Sequence, residues 1–310
     1  MSPHAENITE IVAGLTRPQK SISSKYFYDE RGSQLFDAIT QLPEYYLTGT
    51  EIGIMRNNIA EIVELVGKQA SLIEFGSGSS LKTRILLEHL NELAAYVPVD
   101  ISAEHLLASA QRIGNEFPDT EVLPVVADFT REFDLPTPKV MPLRNIVYFP
   151  GSTIGNFEHS VALDLLRVMR HEARENGALL IGVDLQKDAA IIDNAYNDSQ
   201  GITAEFNLNI LRHLNQVYAA DFDLDEFSHD AQYDAAEGRV VIHLVSARDQ
   251  VVHIGATRID IAHGEKILTE YSHKYTLQGF AEMAGQADFR VEKVWADAED
   301  LFSVQYLLAI

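Results

Sequence analysis

Residues 72–87 read LIEFGSGSSLKTRILL. Leu72 and Ile73 begin an apolar run that passes through Glu74 and Phe75 into Gly76, Ser77, Gly78, Ser79 and Ser80, and apolar residues then recur at helical spacing at Leu81, Ile85, Leu86 and Leu90. The pattern predicts a buried strand, a tight glycine turn and a helix. Glycine suits such a turn because it tolerates positive φ and leaves the backbone bare for a ligand, while the helix beyond presents unpaired N–H groups. The G-x-G spacing lacks the third glycine of the dinucleotide fingerprint. By itself it points to a nucleotide-like ligand, and a strand-to-helix turn without any ligand fits it too.

Downstream, strand and helix keep alternating. Tyr96–Val99 reads as a strand ending in Asp100, Ala103–Ile113 as a helix, and Val122–Val126 as a strand followed by Asp128. Asn145–Phe149 is a strand running into PGSTIGN, His159–Ala173 a helix, and Ala178–Val183 a strand ending at Asp184. Repeated β–α units of this kind predict a parallel sheet with helices on both faces, with ligands bound beyond the carboxyl ends of its strands. Upstream, residues 8–15 suggest a short helix, Leu35, Phe36 and Ile39 lie on another that Pro43 ends, and Glu51–Val66 reads as one amphipathic helix stopped by Gly67. The aromatics Tyr26, Phe27, Tyr28, Tyr45 and Tyr46 precede the first strand. In such a segment packing is the ordinary role of an aromatic ring.

From Lys187 the rhythm changes. Residues 187–218 are mostly helical in pattern, and 222–261 read as antiparallel strands with a turn near Arg248–Gln250, so a second lobe is inserted into the α/β domain. A helix over Leu277–Ala284 and strands over Arg290–Trp295 and Phe302–Leu308 resume the first rhythm, and the short link between those strands predicts an antiparallel edge pair.

Composition narrows the function. The chain has 310 residues, 46% of them hydrophobic, enough for a full α/β core and an added lobe. Its 46 acidic residues against 24 basic ones give a formal charge of −22, which opposes phosphate backbones and anionic membrane surfaces, so neither nucleic acid nor membrane is an expected partner. Without cysteine there are no disulfides and no thiolate chemistry. The N-terminal MSPHAENITEIVAG has no basic head followed by an apolar run, and no stretch approaches a membrane span. A soluble cytoplasmic monomer is expected.

Asp100 ends the second strand 24 positions after Gly76, where a carboxylate can accept both ribose hydroxyls of a nucleotide, although strand-terminal aspartates also cap helices. Asp128 with Phe129 suits an adenine whose exocyclic amine donates to the carboxylate while a ring stacks nearby; a solvated turn aspartate is the plainer role. Together these loops favour an adenosine ligand, and neither distinguishes a nicotinamide cofactor from S-adenosylmethionine.

Two further stretches carry more. FPGSTIGNFE, residues 149–158, sets small residues around Asn156 at a strand end, and TEYSHKYT, residues 269–276, places Glu270 and Ser272 two apart. With SSKYFYDERGSQLFDAITQLPEYY and EFGSGSSLKT, these resemble the histidine-specific methyltransferase family of ergothioneine biosynthesis, from about Lys25 to Leu307. The resemblance implies a Rossmann-like S-adenosylmethionine-dependent methyltransferase sheet with an inserted α+β substrate-binding lobe. The sheet domain would comprise residues 49–186 and 274–310, and the substrate-binding domain residues 1–48 and 187–273. It implies methylation of the α-amino group of L-histidine to its trimethylated betaine, hercynine. It further implies that Tyr28, Gly76, Gly78, Lys82, Asp100, Asp128 and Phe129 hold the cofactor, and that Tyr45, Gly151, Asn156, Tyr196, Glu270 and Ser272 hold the amino acid.

Those roles are chemically coherent. Asn156 offers donor and acceptor to an α-carboxylate and α-amine, Tyr196 can donate to the carboxylate, and Glu270 with Ser272 can satisfy both nitrogens of an imidazole. Tyr45 would close over the ring, and Lys82 would answer the cofactor's carboxylate, a position where a lysine is ordinarily just solvated. Tyr28 and Asn156 are the residues expected to orient the reacting amine, and no dedicated base is evident. Histidine-acting members of the family carry a methionine where this chain has Ile242, which keeps an indole amino acid as the second substrate choice; Glu270 favours imidazole, because a buried carboxylate against an indole would be poorly paired. His243, His253, His263 and His273 fall ten apart but form no ligand cluster, so no metal is expected. No G-x-S-x-G elbow supports a hydrolase, the missing glycine counts against a nicotinamide oxidoreductase, and a non-catalytic cofactor or amino-acid sensor on the same fold stays open.

Overall fold

The computed structural model describes residues 3–77 and 81–310, so the expected cofactor residue Gly78 lies outside the described residues. The chain begins with α1 (Pro3–Leu15), α2 (Glu30–Ile39), α3 (Tyr46–Asn57), α4 (Ile59–Val66), β1 (Ala70–Phe75), α5 (Leu81–Leu87), β2 (Ala95–Asp100) and α6 (Ala103–Glu116). It continues with β3 (Val125–Val126), β4 (Arg144–Phe149), α7 (His159–Ala173), β5 (Ala178–Asp184), α8 (Ala189–Tyr196) and α9 (Ile202–Tyr218). The last part holds β6 (Phe227–Asp234), β7 (Arg239–Ser246), β8 (Gln250–Ile254), β9 (Thr257–Ile261), β10 (Lys266–His273), α10 (Leu277–Gly285), β11 (Phe289–Ala296) and β12 (Phe302–Ala309). Two compact units result: Met1–Tyr46 with Lys187–Ser272, and Leu47–Gln186 with His273–Ile310.

The second of these, the sheet unit, holds seven strands in the order β11-β12-β5-β4-β1-β2-β3. β1 to β5 run parallel, and β12 joins β5 antiparallel with β11 outside it, as the short link between the last two strands predicts. β1 and β5 are buried along their whole length, as strands covered by helices on both faces must be. Ile73, Val97, Val147, Ile181, Leu165 and Phe280 belong to the core they share with α7 and α10. The strand order reverses between β1 and β4, which puts a ligand crevice at the ends of those strands.

Two expected elements differ. Residues 51–66 are not one helix: α3 ends at Asn57 and α4 starts at Ile59. Asn58, at φ −120°, turns its side-chain amide back onto the Ile54 carbonyl at 2.8 Å, and such side-chain bonding competes with the helical ladder. The strand expected over 122–126 shrinks to Val125–Val126 plus a single bridge from Val122 to Tyr96, because Pro124 between them has no N–H to donate.

The first unit pairs β6 with β7 antiparallel in the three-stranded order β10-β7-β6, alongside a β8–β9 hairpin. α9 buries Phe206, Ile210, Leu211 and Leu214 in a core with Ile11, Phe27, Ile39 and Leu244. A smaller cluster unites Ile192, Ala195 and Tyr196 of α8 with Ala231, Val240 and Ile242, and partly buried Tyr45, Tyr46 and Tyr233 pack against it.

Candidate active site

In the sheet unit the expected cofactor residues stand at successive strand ends. Gly76 follows β1 at φ +71°, and its N–H reaches the Val99 carbonyl at 2.8 Å, tying the ends of β1 and β2 together. A Cβ on Gly76 would sit 3.6 Å from the Phe129 ring, so the glycine leaves bare backbone facing an aromatic side chain. Phe129 is fixed by Phe75 and Phe149, with ring centroids 5.6 and 5.9 Å away. Asp100 ends β2 and accepts the Ser102 N–H at 2.9 Å; burial pushes its carboxyl up from the ordinary aspartate range. Asp128, more exposed, accepts from the Thr130 N–H and hydroxyl at 3.1 and 2.6 Å. A carboxylate for ribose hydroxyls, an aromatic face, an unshielded turn and a lysine, Lys82, all in one unit, fit an adenosine cofactor with an acidic tail.

Beyond β4 the PGSTIGN loop has two consecutive positive φ values, +81° at Gly151 and +56° at Ser152. The Ser152 hydroxyl accepts the Asp184 N–H at 2.9 Å, holding the loop to the end of β5. Asn156 closes the short 3₁₀ turn Thr153–Asn156, and a Cβ on Gly155 would meet the His273 carbonyl at 2.6 Å, so only glycine allows that approach.

The expected amino-acid residues divide between the units. Gly151 and Asn156 belong to the sheet unit; Tyr45, Tyr196, Glu270 and Ser272 belong to the other, as does Tyr28 of the cofactor set. Tyr196, at the end of α8, shares a 2.7 Å hydrogen bond between its hydroxyl and that of Ser272 on β10. Glu270 lies two residues before Ser272, the spacing that returns a strand side chain to the same face. Tyr28 caps the 3₁₀ turn Ser24–Phe27 and is 45% exposed, so it is available to a ligand. Its ring meets Phe36 edge-on at 6.0 Å, and Phe36 meets Tyr45 at 6.4 Å, so one α2 side chain links the two tyrosines.

A polar network underlies this half. Asn207 of α9 donates to the His243 carbonyl and to Nδ1 of His229, both at 2.9 Å, and its carbonyl oxygen accepts from Thr269, the neighbour of Glu270. His229 Nε2 in turn donates to the Tyr196 carbonyl at 2.9 Å. Burial lowers the His229 pKa, consistent with a neutral ring that accepts on one side and donates on the other.

The sequence reading passed over this network, and over two buried carboxylates of the sheet unit. Glu74, 2% exposed, accepts from Thr83 at 2.5 Å and from the Tyr96 hydroxyl; desolvation raises its pKa to about 7 against those two bonds. Glu51, 1% exposed, lies on α3. Signals for both existed: Glu74 interrupts a strand that must be buried on both faces, and Glu51 precedes Met55 by four on an apolar stripe. Among the described residues no group of three or more His, Cys, Asp and Glu is placed to hold a metal, and no helix is long and apolar enough to cross a membrane.

Sheet order, glycine turn and strand-end carboxylates define a Rossmann-like S-adenosylmethionine-dependent methyltransferase. The solved structure of LaPhzM shares the fold, with a TM-score of 0.51 over 99% of this chain and 70% of that one at 11% identity. The family described as histidine-specific methyltransferase, SAM-dependent, matches residues 7–309, and the chain belongs to that family. It is 39% identical over 293 residues to the histidine N-alpha-methyltransferase of Mycolicibacterium smegmatis, covering 93% of this chain and 90% of that one. The protein of the same name from Mycobacterium tuberculosis is 39% identical over 295 residues, with the same coverage.

Proposed function

We propose that the chain transfers methyl groups from S-adenosylmethionine to the α-amino nitrogen of L-histidine, ending at the trimethylated betaine. The observation that carries the substrate is the Tyr196–Ser272 hydrogen bond on the strand that also bears Glu270, which readies a phenol, a hydroxyl and a carboxylate for a small polar amino acid. Glu270 and Ser272 take the two imidazole nitrogens, Tyr196 and Asn156 the α-carboxylate, and Tyr45 covers the ring. Gly76, Asp100, Asp128, Phe129 and Lys82 bind the cofactor, with Gly151 beside the amino acid.

When bound, the cofactor supplies a methyl group already activated by its sulfonium. The chain's task is therefore alignment: Tyr28 and Asn156 orient the amine lone pair, and the amine proton leaves to water, since no side chain is assigned as its acceptor. Tyrosine faces also suit the quaternary ammonium that accumulates after three transfers. Ile242, 4% exposed in the cluster with Tyr196, keeps a second reading in view, an indole amino acid as acceptor. Incubation with methyl-labelled S-adenosylmethionine and a panel of amino acids separates the two. Label on histidine, reaching three methyls by mass spectrometry, is expected; label on tryptophan alone would replace histidine as the substrate, and bound donor with no transfer would make the protein a sensor.

A further inference from the structure

Around Glu51 of α3 converge α5, β5 and the PGSTIGN loop. Both of its oxygens accept from the Gly151 N–H, at 3.1 and 3.0 Å, and its Oε2 pairs with the ammonium of Lys82 on α5. The backbone makes room for this group twice. A Cβ on Gly182 of β5 would fall 2.2 Å from Glu51 Oε1, and a Cβ on Gly151 would fall 3.3 Å from Lys82 Nζ. Burying a carboxylate to 1% exposure is costly and is offset here by a charge and an amide N–H.

The two partners are not equally hidden. Lys82 keeps 16% of its side chain exposed against 1% for Glu51, so of the two side chains Lys82 is the one a ligand can reach. A lysine has four rotatable bonds and no preset geometry, so one meant to meet a single carboxylate gains from being immobilised beforehand.

We propose that Glu51 is a positioning residue for the cofactor's amino-acid tail: itself held by the Gly151 N–H, it anchors the Lys82 ammonium in one fixed place where the ammonium receives the tail's carboxylate. The inference rests on the cofactor assignment above and adds a residue to it. Glu51 acts through Lys82 and touches no reacting atom, so its removal weakens recognition of the tail and leaves recognition of the nucleoside alone.

The test compares two ligands on the full-length chain by isothermal titration: S-adenosylhomocysteine, which has the tail, and 5′-methylthioadenosine, which lacks it. Glu51→Gln should weaken S-adenosylhomocysteine by about 10- to 100-fold, the range for losing a charge-assisted contact, and change 5′-methylthioadenosine by less than about twofold. Lys82→Met should show the same selectivity, and the double variant should lose little more than either single one. In steady state the KM for S-adenosylmethionine rises while kcat changes little. If Glu51→Gln does not fold, Glu51→Asp, which keeps the charge but withdraws it from Lys82, should give the same tail-selective loss. Equal loss for both ligands, or none for S-adenosylhomocysteine, overturns the proposal. Failure of the parent protein to bind S-adenosylhomocysteine would overturn the cofactor assignment itself.

Discussion

In the sheet unit, Gly76, Asp100, Asp128 and Gly151 each follow or end a different parallel strand, and backbone hydrogen bonds such as Gly76 to Val99 set their spacing. In the other unit, Tyr45, Tyr196, Glu270 and Ser272 come from a loop, a helix end and one strand, and the bonds among and beside them run between side chains: Tyr196 to Ser272, Asn207 to His229, Thr269 to Asn207. The first arrangement survives most side-chain changes because the backbone makes it. The second is rewritten by single substitutions. On the proposed roles, the shared requirement, an adenosine donor, falls to the sheet, and selection of the acceptor falls to exchangeable side chains.

The largest expected effect tests that division directly. Glu270→Ala should lower kcat/KM for histidine about 100- to 1,000-fold, as loss of a charged hydrogen-bond partner does, with S-adenosylhomocysteine affinity unchanged by calorimetry. A matching loss of cofactor affinity would break the comparison. Asp100→Ala should do the reverse, weakening S-adenosylhomocysteine about 100-fold by removing the acceptor for ribose hydroxyls. An unweakened Asp100→Ala protein would remove the sheet from the donor's account.

Titration offers a third probe, with opposite signs in the two units. Glu74 is raised to about 7, so the folded protein keeps a proton that the unfolded chain releases, and stability falls as pH rises from the ordinary glutamate value toward 7. Glu74→Gln, which cannot ionise, should gain on the parent by about 2–3 kcal/mol across that window in chemical denaturation. His229 is lowered, so the unfolded chain takes up the proton first, and its contribution falls as pH drops below its ordinary value, about 6.5. A Glu74→Gln profile parallel to the parent's would show that Glu74 carries no raised pKa. The smallest effect is at the hydroxyl pair: Tyr196→Phe removes the hydroxyl bonded to Ser272 and proposed to meet the α-carboxylate, and should raise the KM for histidine about 10- to 30-fold, leaving thermal stability near the parent's.

The same contrast explains what could be read before any coordinates. Strand, glycine turn and helix are local patterns, so β1, β2, β4, β5 and α7 emerge from apolar period and turn chemistry, and Asp100 follows from its place at a strand end. Asn58 and Pro124 defeated the period because each acts through one hydrogen bond, made or missing, which hydrophobicity does not register. Tyr45, Tyr196, Glu270 and Ser272 are separated by up to 227 positions (272 − 45), and only family resemblance assembled them. Glu51 escaped even that: its place on an apolar stripe hints at burial, but its role depends on partners on α5, β5 and the PGSTIGN loop that no local pattern shows.

Where the chain leaves β5 and where it comes back are neighbours: Leu185 bridges Tyr275, the Gln186 N–H reaches the Tyr275 carbonyl at 3.0 Å, and a fully buried Lys274–Asp184 pair at 2.7 Å rivets the two together. Exit and return are already stitched, so the excursion over residues 187–272 can lengthen, shorten or be exchanged while the sheet's hydrogen bonding stays intact, and each doubling of a flexible excursion costs only about 0.6 kcal/mol in closure entropy. Such a junction is a grafting point. New acceptor preferences could arise by transplanting the excursion together with residues 1–46, whose Ile11, Phe27 and Ile39 share its core.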